Sequence, residues 1–158
     1  MPLAKIPPNT ILLVGRERAY IDNNGQIPII DTGALPGQFV ELADIGGVLG
    51  WRKVTSATNI PSKFILLEDD INGKGVDQAY NSGDIPAIAC LDLGMEVWAL
   101  VPSGQDITQG DYLQQNGDGN LKEATAGTAA ANVAHYQALE TLGAITALTR
   151  CRTQIVVG

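Results

Sequence analysis

The stretch GMEVWALVPSGQDITQGDYLQQNGDGN, residues 94–120, decides the fold class. Its strand-length runs, Glu96 to Val101 and Tyr112-Leu113, are punctuated by Gly94, Gly104, Gly110-Asp111 and Gly117 to Gly119. Short apolar runs bounded by Gly, Asp and Asn read as antiparallel strands joined by tight turns. The same rhythm extends outward through Pro36-Gly37, Gly46-Gly47, Gly73, Gly83-Asp84 and Gly127, a turn signal roughly every ten residues.

Working outward, Phe39 to Leu42 and Val48 to Val54 flank Asp44-Ile45-Gly46-Gly47, a hairpin candidate. Ala19-Tyr20-Ile21 and Ile27 to Ile30 flank Asn23-Asn24-Gly25 in the same way. Lys63 to Leu67 is a continuous apolar run, which places it in the centre of a sheet rather than on a half-exposed face. Ile85 to Cys90 and Glu96 to Val101 are separated by Asp92-Leu93-Gly94, and Asn116 to Asn120 makes a tight connection before Leu121. At the end, Cys151, Thr153, Ile155 and Val157 alternate with Arg150, Arg152 and Gln154, the period of a half-buried strand. Ala124 to Ala134 reads as loop or weak helix, and Ala138 to Leu148 as strand plus bend. The expected fold is all-β: a small antiparallel β-barrel or sandwich-like single domain over residues 11–158, with long loops.

Residues 1–10, MPLAKIPPNT, read as an extended arm, because Pro2, Pro7 and Pro8 oppose a helix interior and bias their predecessors to extended backbone. Ten extended residues reach about 33 Å. Ordering them costs about 10–20 kcal/mol of backbone entropy, less where proline already restricts the chain. Burial of Leu3 and Ile6 against another surface is what would offset it, and a frayed terminus is the plain alternative. The same prolines, with no apolar core segment, argue against a secretory leader, so synthesis in a cytoplasm is expected.

The 158 residues are 45% apolar, enough for a core without a staple or metal. A formal net charge of −7, with ten Lys and Arg in all, argues against nucleic acid as partner. Ile11 to Val14 is far too short to span a bilayer. Cys90 and Cys151 lie far apart with no neighbouring His and read as free thiols packed like small hydrophobes; a disulfide is the alternative.

Chemistry is sparse. His135 is the single histidine, which excludes a multi-histidine metal site, and it reads as a strand-flanking residue beside Tyr136. No serine has a G-x-S-x-G setting. The loop Glu68 to Gly75 invites a calcium reading with Asp70 at position one and Asn72 at three. Lys74 then takes a ligand position and Asn81 stands where a bidentate Glu is required, so a solvated loop is expected. No cofactor is expected. Trp51, Trp98 and Tyr112 read as core aromatics, with Trp98 also a candidate anchor for a subunit interface, where Trp is enriched.

From Phe64 onward, an apolar strand ends in Leu66-Leu67-Glu68-Asp69, and a Gly73/Gly75 loop leads to Tyr80-Asn81-Ser82-Gly83-Asp84. Met95 to Leu100 follows, then Gly104-Gln105, Gln109 to Leu113, and Asn116 to Gly119 before Leu121-Lys122. Gly33 to Leu42 and the closing Arg150 to Val157 suit the same pattern. This order of parts, clearest from Phe64 to Asp111, resembles the capsid cement, or decoration, proteins of tailed bacteriophages, and the likeness covers about four-fifths of the chain. The resemblance implies a non-enzymatic virion protein that trimerises on the outer capsid surface and clamps neighbouring major capsid subunits. It also implies an extended arm for capsid contact, here Pro2, Leu3, Lys5, Ile6, Pro7 and Pro8, with neither nucleic acid nor membrane as partner. Two other readings compete: a carbohydrate-binding or adhesion module of a virion, and a small trimeric β-fold hydrolase built on Glu68, Asp69 and Asp70.

Overall fold

The computed structural model describes residues 11–14, 27–57, 61–69, 72–124 and 135–156. Strands and turns dominate them. The strands are β1 (Leu12–Val14), β2 (Phe39–Ile45), β3 (Val48–Lys53), β4 (Phe64–Leu66), β5 (Ile88–Cys90) and β6 (Glu96–Val101). They continue with β7 (Asp106–Ile107), β8 (Tyr112–Gln115), β9 (Leu121–Glu123), β10 (Tyr136–Ala138), β11 (Gly143–Ala144) and β12 (Thr149–Ile155).

Two antiparallel sheets carry the fold, one in the order β1-β6-β12-β10-β8-β9 and the other β3-β2-β4-β5; β7 and β11 form a small ribbon. The sheets are arranged as a sandwich and do not close into a barrel, so of the two expected all-β forms the sandwich is the one present. The chain changes sheets between β5 and β6. There Met95 N–H donates to Asp92 O at 3.1 Å and Gly94 N–H to Ile155 O at 2.9 Å.

The main core lies between the sheets. The larger sheet contributes Val97, Ala99, Val101, Leu113, Leu121, Tyr136, Ala138, Cys151 and Ile155, and the smaller sheet Phe39, Ile65 and Ala89. A second cluster covers the other face of the smaller sheet, where Val40, Trp51, Leu66 and Ile88 meet Ile29, Ala34 and Tyr80. This explains β4. A central strand buried on both faces has no polar side, so its residues are apolar without alternation.

β12 shows the opposite case. Cys151, Thr153 and Ile155 are buried while Arg152 is exposed and Gln154 half-buried, the expected period of two. Ala138 to Leu148 resolves as the end of β10, a bend and β11. Gly37 sits where the sheets converge: at φ 94° a Cβ there would lie 2.8 Å from the Trp98 carbonyl oxygen. Only a residue without a side chain permits that approach. The arm, the Asn23-Asn24-Gly25 turn and the run from 125 to 134 lie outside the described residues.

Candidate interaction surface

Six register pairs join β2 and β3, from Val40↔Lys53 to Ile45↔Val48. Among the described residues, β4 pairs with β2 only at Phe39 and Val40, and the segment around Ile29 forms a bridge with β3 only at Trp51. Among the described residues, the rest of the hairpin extends past the sheet as a two-stranded ribbon. Gly46 at φ 64° and Gly47 at φ 84° close it, both left-handed as a type I′ turn requires. Asp44 Oδ1 accepts the Gly47 N–H at 2.8 Å.

The base of the ribbon is fixed. Arg52 Nε donates to Glu41 Oε1 at 2.9 Å, Thr55 Oγ1 donates to the same oxygen at 3.1 Å, and Lys53 N–H donates to Asp31 Oδ2 at 2.6 Å. Its tip is apolar and wet. Leu42 is 46% exposed, Ile45 51%, Val48 55% and Leu49 51%. Isolated exposed hydrophobics are ordinary, but two pairs at one tip, Leu42 with Leu49 on one face and Ile45 with Val48 on the other, mark a finger made to be covered.

The pairing pattern also fixes where the backbone points. In a two-residue hairpin the pair next to the turn, Ile45 and Val48, is hydrogen-bonded, and bonded pairs alternate from there. Val48, Gly50 and Arg52 therefore bond to β2, whereas Leu49, Trp51 and Lys53 turn their main-chain groups outward. Trp51 N–H donates to Pro28 O at 2.9 Å and Trp51 O accepts from Ile30 N–H at 2.8 Å. Leu49 N–H and C=O meet no partner among the described residues.

The sequence-predicted site residues fare differently. Trp98, in β6, is half-buried, packs against the main core cluster and lies opposite Arg152 in the register. Arg152 in turn grips Glu96 Oε2 from Nε at 3.0 Å and Nη2 at 2.6 Å. The arm residues Pro2, Leu3, Lys5, Ile6, Pro7 and Pro8 lie outside the described residues. Trp51 is core, 2% exposed and edge-on to Phe64 at 5.1 Å. Tyr112 is not: it is 45% exposed, because Leu113 takes the inward position on β8 and its neighbour must face out.

The acidic loop is held by its own members. Asn72 Nδ2 donates to Asp69 Oδ2 at 2.6 Å, and Glu68 Oε2 accepts the Ile11 N–H at 3.0 Å. Lys74 Nζ lies 3.2 Å from Asp84 Oδ2 and donates to Ala79 O at 3.1 Å. The Asn81 N–H, outweighing slight burial, and then Lys74 hold the Asp84 carboxyl below its ordinary range. Asp69, Asn72, Lys74 and Asp84 line a cleft with Tyr80, Gly83 and Ile85 whose charged centre is already the Lys74–Asp84 ion pair. No cluster of three or more His, Cys, Asp or Glu suited to a metal occurs among the described residues. Half-buried His135 accepts the Val156 N–H on its carbonyl at 3.0 Å. Both cysteines are free thiols. Burial, with Asp92 adding, pushes the Cys90 thiol up.

Reading by sequence found the hairpin but not its exposed tip. The available signal was Ile45 and Val48-Leu49 directly flanking Gly46-Gly47, where polar turn neighbours are usual. No protein-family model matches this chain, and no curated protein matches it either.

Proposed function

We propose that this chain is a capsid cement protein: it binds the outer surface of a tailed-phage capsid as a homotrimer and stabilises contacts between major capsid subunits, without catalysis. The observation that carries the reading is the apolar β2–β3 finger projecting from an acidic body of net charge −7. Such a surface suits recognition of another protein by shape, and its acidity favours the outside of a shell over packaged DNA. Of the turn glycines on which the resemblance rests, Gly73, Gly83, Gly104, Gly110, Gly117 and Gly119 adopt positive φ, whereas Gly75 does not.

Magnitudes fit multivalent attachment. Fully burying a Leu, Ile or Val side chain contributes about 1.5–3 kcal/mol, so covering four half-exposed ones contributes about 3–6 kcal/mol. Association costs about 4–15 kcal/mol in lost freedom, so one finger alone is weak. Linked copies on one lattice raise avidity by about 10²–10⁴. The arm at residues 1–10 and the Trp98 surface are the proposed further contacts, to capsid and to neighbouring subunits respectively. Electron microscopy of the protein mixed with stripped capsid shells tests the reading: knobs at local threefold positions are expected, and bare shells at saturating protein would overturn it.

One observation favours a second reading, a glycan-binding module. Tyr112 is exposed on the outward face of β8, beside Gln137 of β10 in the register. A ring flanked by an amide is a usable sugar platform, and binding on a glycan array that Tyr112→Ala abolishes would establish it.

A further inference from the structure

We infer that the outer edge of β3 at Leu49 is a strand acceptor, which takes up an extended, apolar, non-acidic segment of the partner protein by main-chain pairing. The inference rests on the reading above for who the partner is, and on the hairpin alone for how it is held. Among the described residues, the chain stops short of this edge. Its segment around Ile29 runs parallel to β3 and serves Trp51 on both sides, through Pro28 O and Ile30 N–H. The next step of that parallel ladder toward the tip would bring the N–H of residue 28 to Leu49 O. Residue 28 is proline and has none, so the Leu49 carbonyl gets no donor from that ladder, and among the described residues the Leu49 N–H meets no acceptor either, leaving both facing outward.

That pair of groups selects the occupant. A smooth apolar pocket would cover Leu42, Ile45, Val48 and Leu49 well but strand two main-chain groups, each weakening binding about fivefold to a hundredfold. An extended chain supplies a matching acceptor and donor at strand spacing, and its side chains meet the apolar tip. A second copy of this chain could offer its own Leu49, but charge opposes it. Each body carries −7, and the two Asp44 carboxylates would flank the shared edge. A segment with Lys or Arg beside its apolar residues complements Asp44 instead.

Hydrogen exchange on the intact protein tests this with two probes: stripped capsid shells, and peptides selected from a random dodecamer display library on the immobilised protein. The Leu49 amide is expected to exchange freely in the unbound protein and to slow at least tenfold on binding. Leu49→Pro, which removes the donor at a position β2 does not use, is expected to weaken binding about fivefold to a hundredfold, and Leu49→Val less than about threefold. An unprotected Leu49 amide at saturation, equal affinity of the two variants, or failure of both probes to bind overturns the inference. So does equal protection by a synthetic peptide of residues 1–10 or by raised protein concentration, since the occupant would then be this chain itself. Peptides that protect Leu49 while shells fail to bind would sink the cement reading and leave the strand acceptor standing. Shells that bind without protecting Leu49 would do the reverse.

Discussion

Phe39 of the smaller sheet and Tyr136 of the larger meet across the sandwich, their ring centroids 4.8 Å apart at 55°. Both are buried, and the Tyr136 hydroxyl donates to Ser62 O at 2.7 Å while accepting from Gln115 Nε2 at 2.9 Å. This contact fastens the two layers, so its loss should be felt globally. Tyr136→Ala is expected to cost about 3–5 kcal/mol in urea unfolding. Tyr136→Phe is expected to cost about 0.5–1.5 kcal/mol, because Gln115 still serves Ser62 O at 3.2 Å.

The same hydroxyl sets an alkaline limit. Burial pushes the Tyr136 phenol far above its ordinary value of 10.0. The folded state therefore keeps a proton that the unfolded chain releases, and the stabilisation is complete below pH 10 and lost as pH rises from there toward the folded pKa. Between pH 9 and pH 11 the wild type is expected to lose about 1.4 kcal/mol more than Tyr136→Phe. Equal losses in paired unfolding curves would show that the phenol ionises freely in the fold.

Arg150 separates a charge effect from a hydrogen-bond effect. Its Nη1 lies 2.7 Å from Asp77 Oδ1, but that carboxylate's side chain is 73% exposed, where an ion pair is worth little. Nη2 donates to the carbonyls of Val76 and Pro36, tying β12 to two loops. Asp77→Ala should therefore cost under about 1 kcal/mol. Arg150→Lys, which keeps the charge but loses the fork, should cost about 1–3 kcal/mol. A larger loss for Asp77→Ala than for Arg150→Lys, by thermal or urea unfolding, would reverse the assignment.

What was legible in the sequence was what a short window encodes. Gly46-Gly47 between two apolar runs gave the hairpin, Arg150 to Ile155 showed its period of two, and the unbroken apolar run at β4 placed it inside a sheet. Tyr112 was misjudged because aromatic size says nothing about which face a two-residue period presents. Closure was equally out of reach: whether sheets meet edge to edge depends on strand order, and the β5-to-β6 change of sheet looks locally like any turn. The finger was hidden for a related reason. Leu42, Ile45, Val48 and Leu49 look like core residues until it is known that, among the described residues, neither β4 nor the Ile29 segment pairs that far along the hairpin.

The two thiols should behave unequally. Cys151 is fully buried on the inner face of β12, whereas Cys90 is half-buried in β5 of the other sheet. Iodoacetamide at pH 8 is expected to modify Cys90 slowly, since burial raises its thiol, and Cys151 only after unfolding. Intact-mass spectra should show one adduct on the native protein and two in denaturant, with no change in melting temperature when reductant is omitted. A native mass lacking two hydrogens and refusing both adducts would mean the pair is oxidised.

Ile45→Lys with Val48→Lys distinguishes a surface kept for binding from one kept for folding. Both side chains are about half in water, and the pair they form is held by the Gly46-Gly47 turn and its main-chain bonds rather than by burial. The double variant is thus expected to unfold within about 0.5 kcal/mol of wild type, since surface changes away from caps and buried networks have small effects. Trp51→Ala, three residues further along β3 but buried in the second cluster, is expected to cost about 3–5 kcal/mol. Binding should rank the other way: the double lysine variant should release stripped shells and bind less hydrophobic dye. If it instead unfolds as readily as Trp51→Ala, the tip belongs to the core and the finger is no docking element.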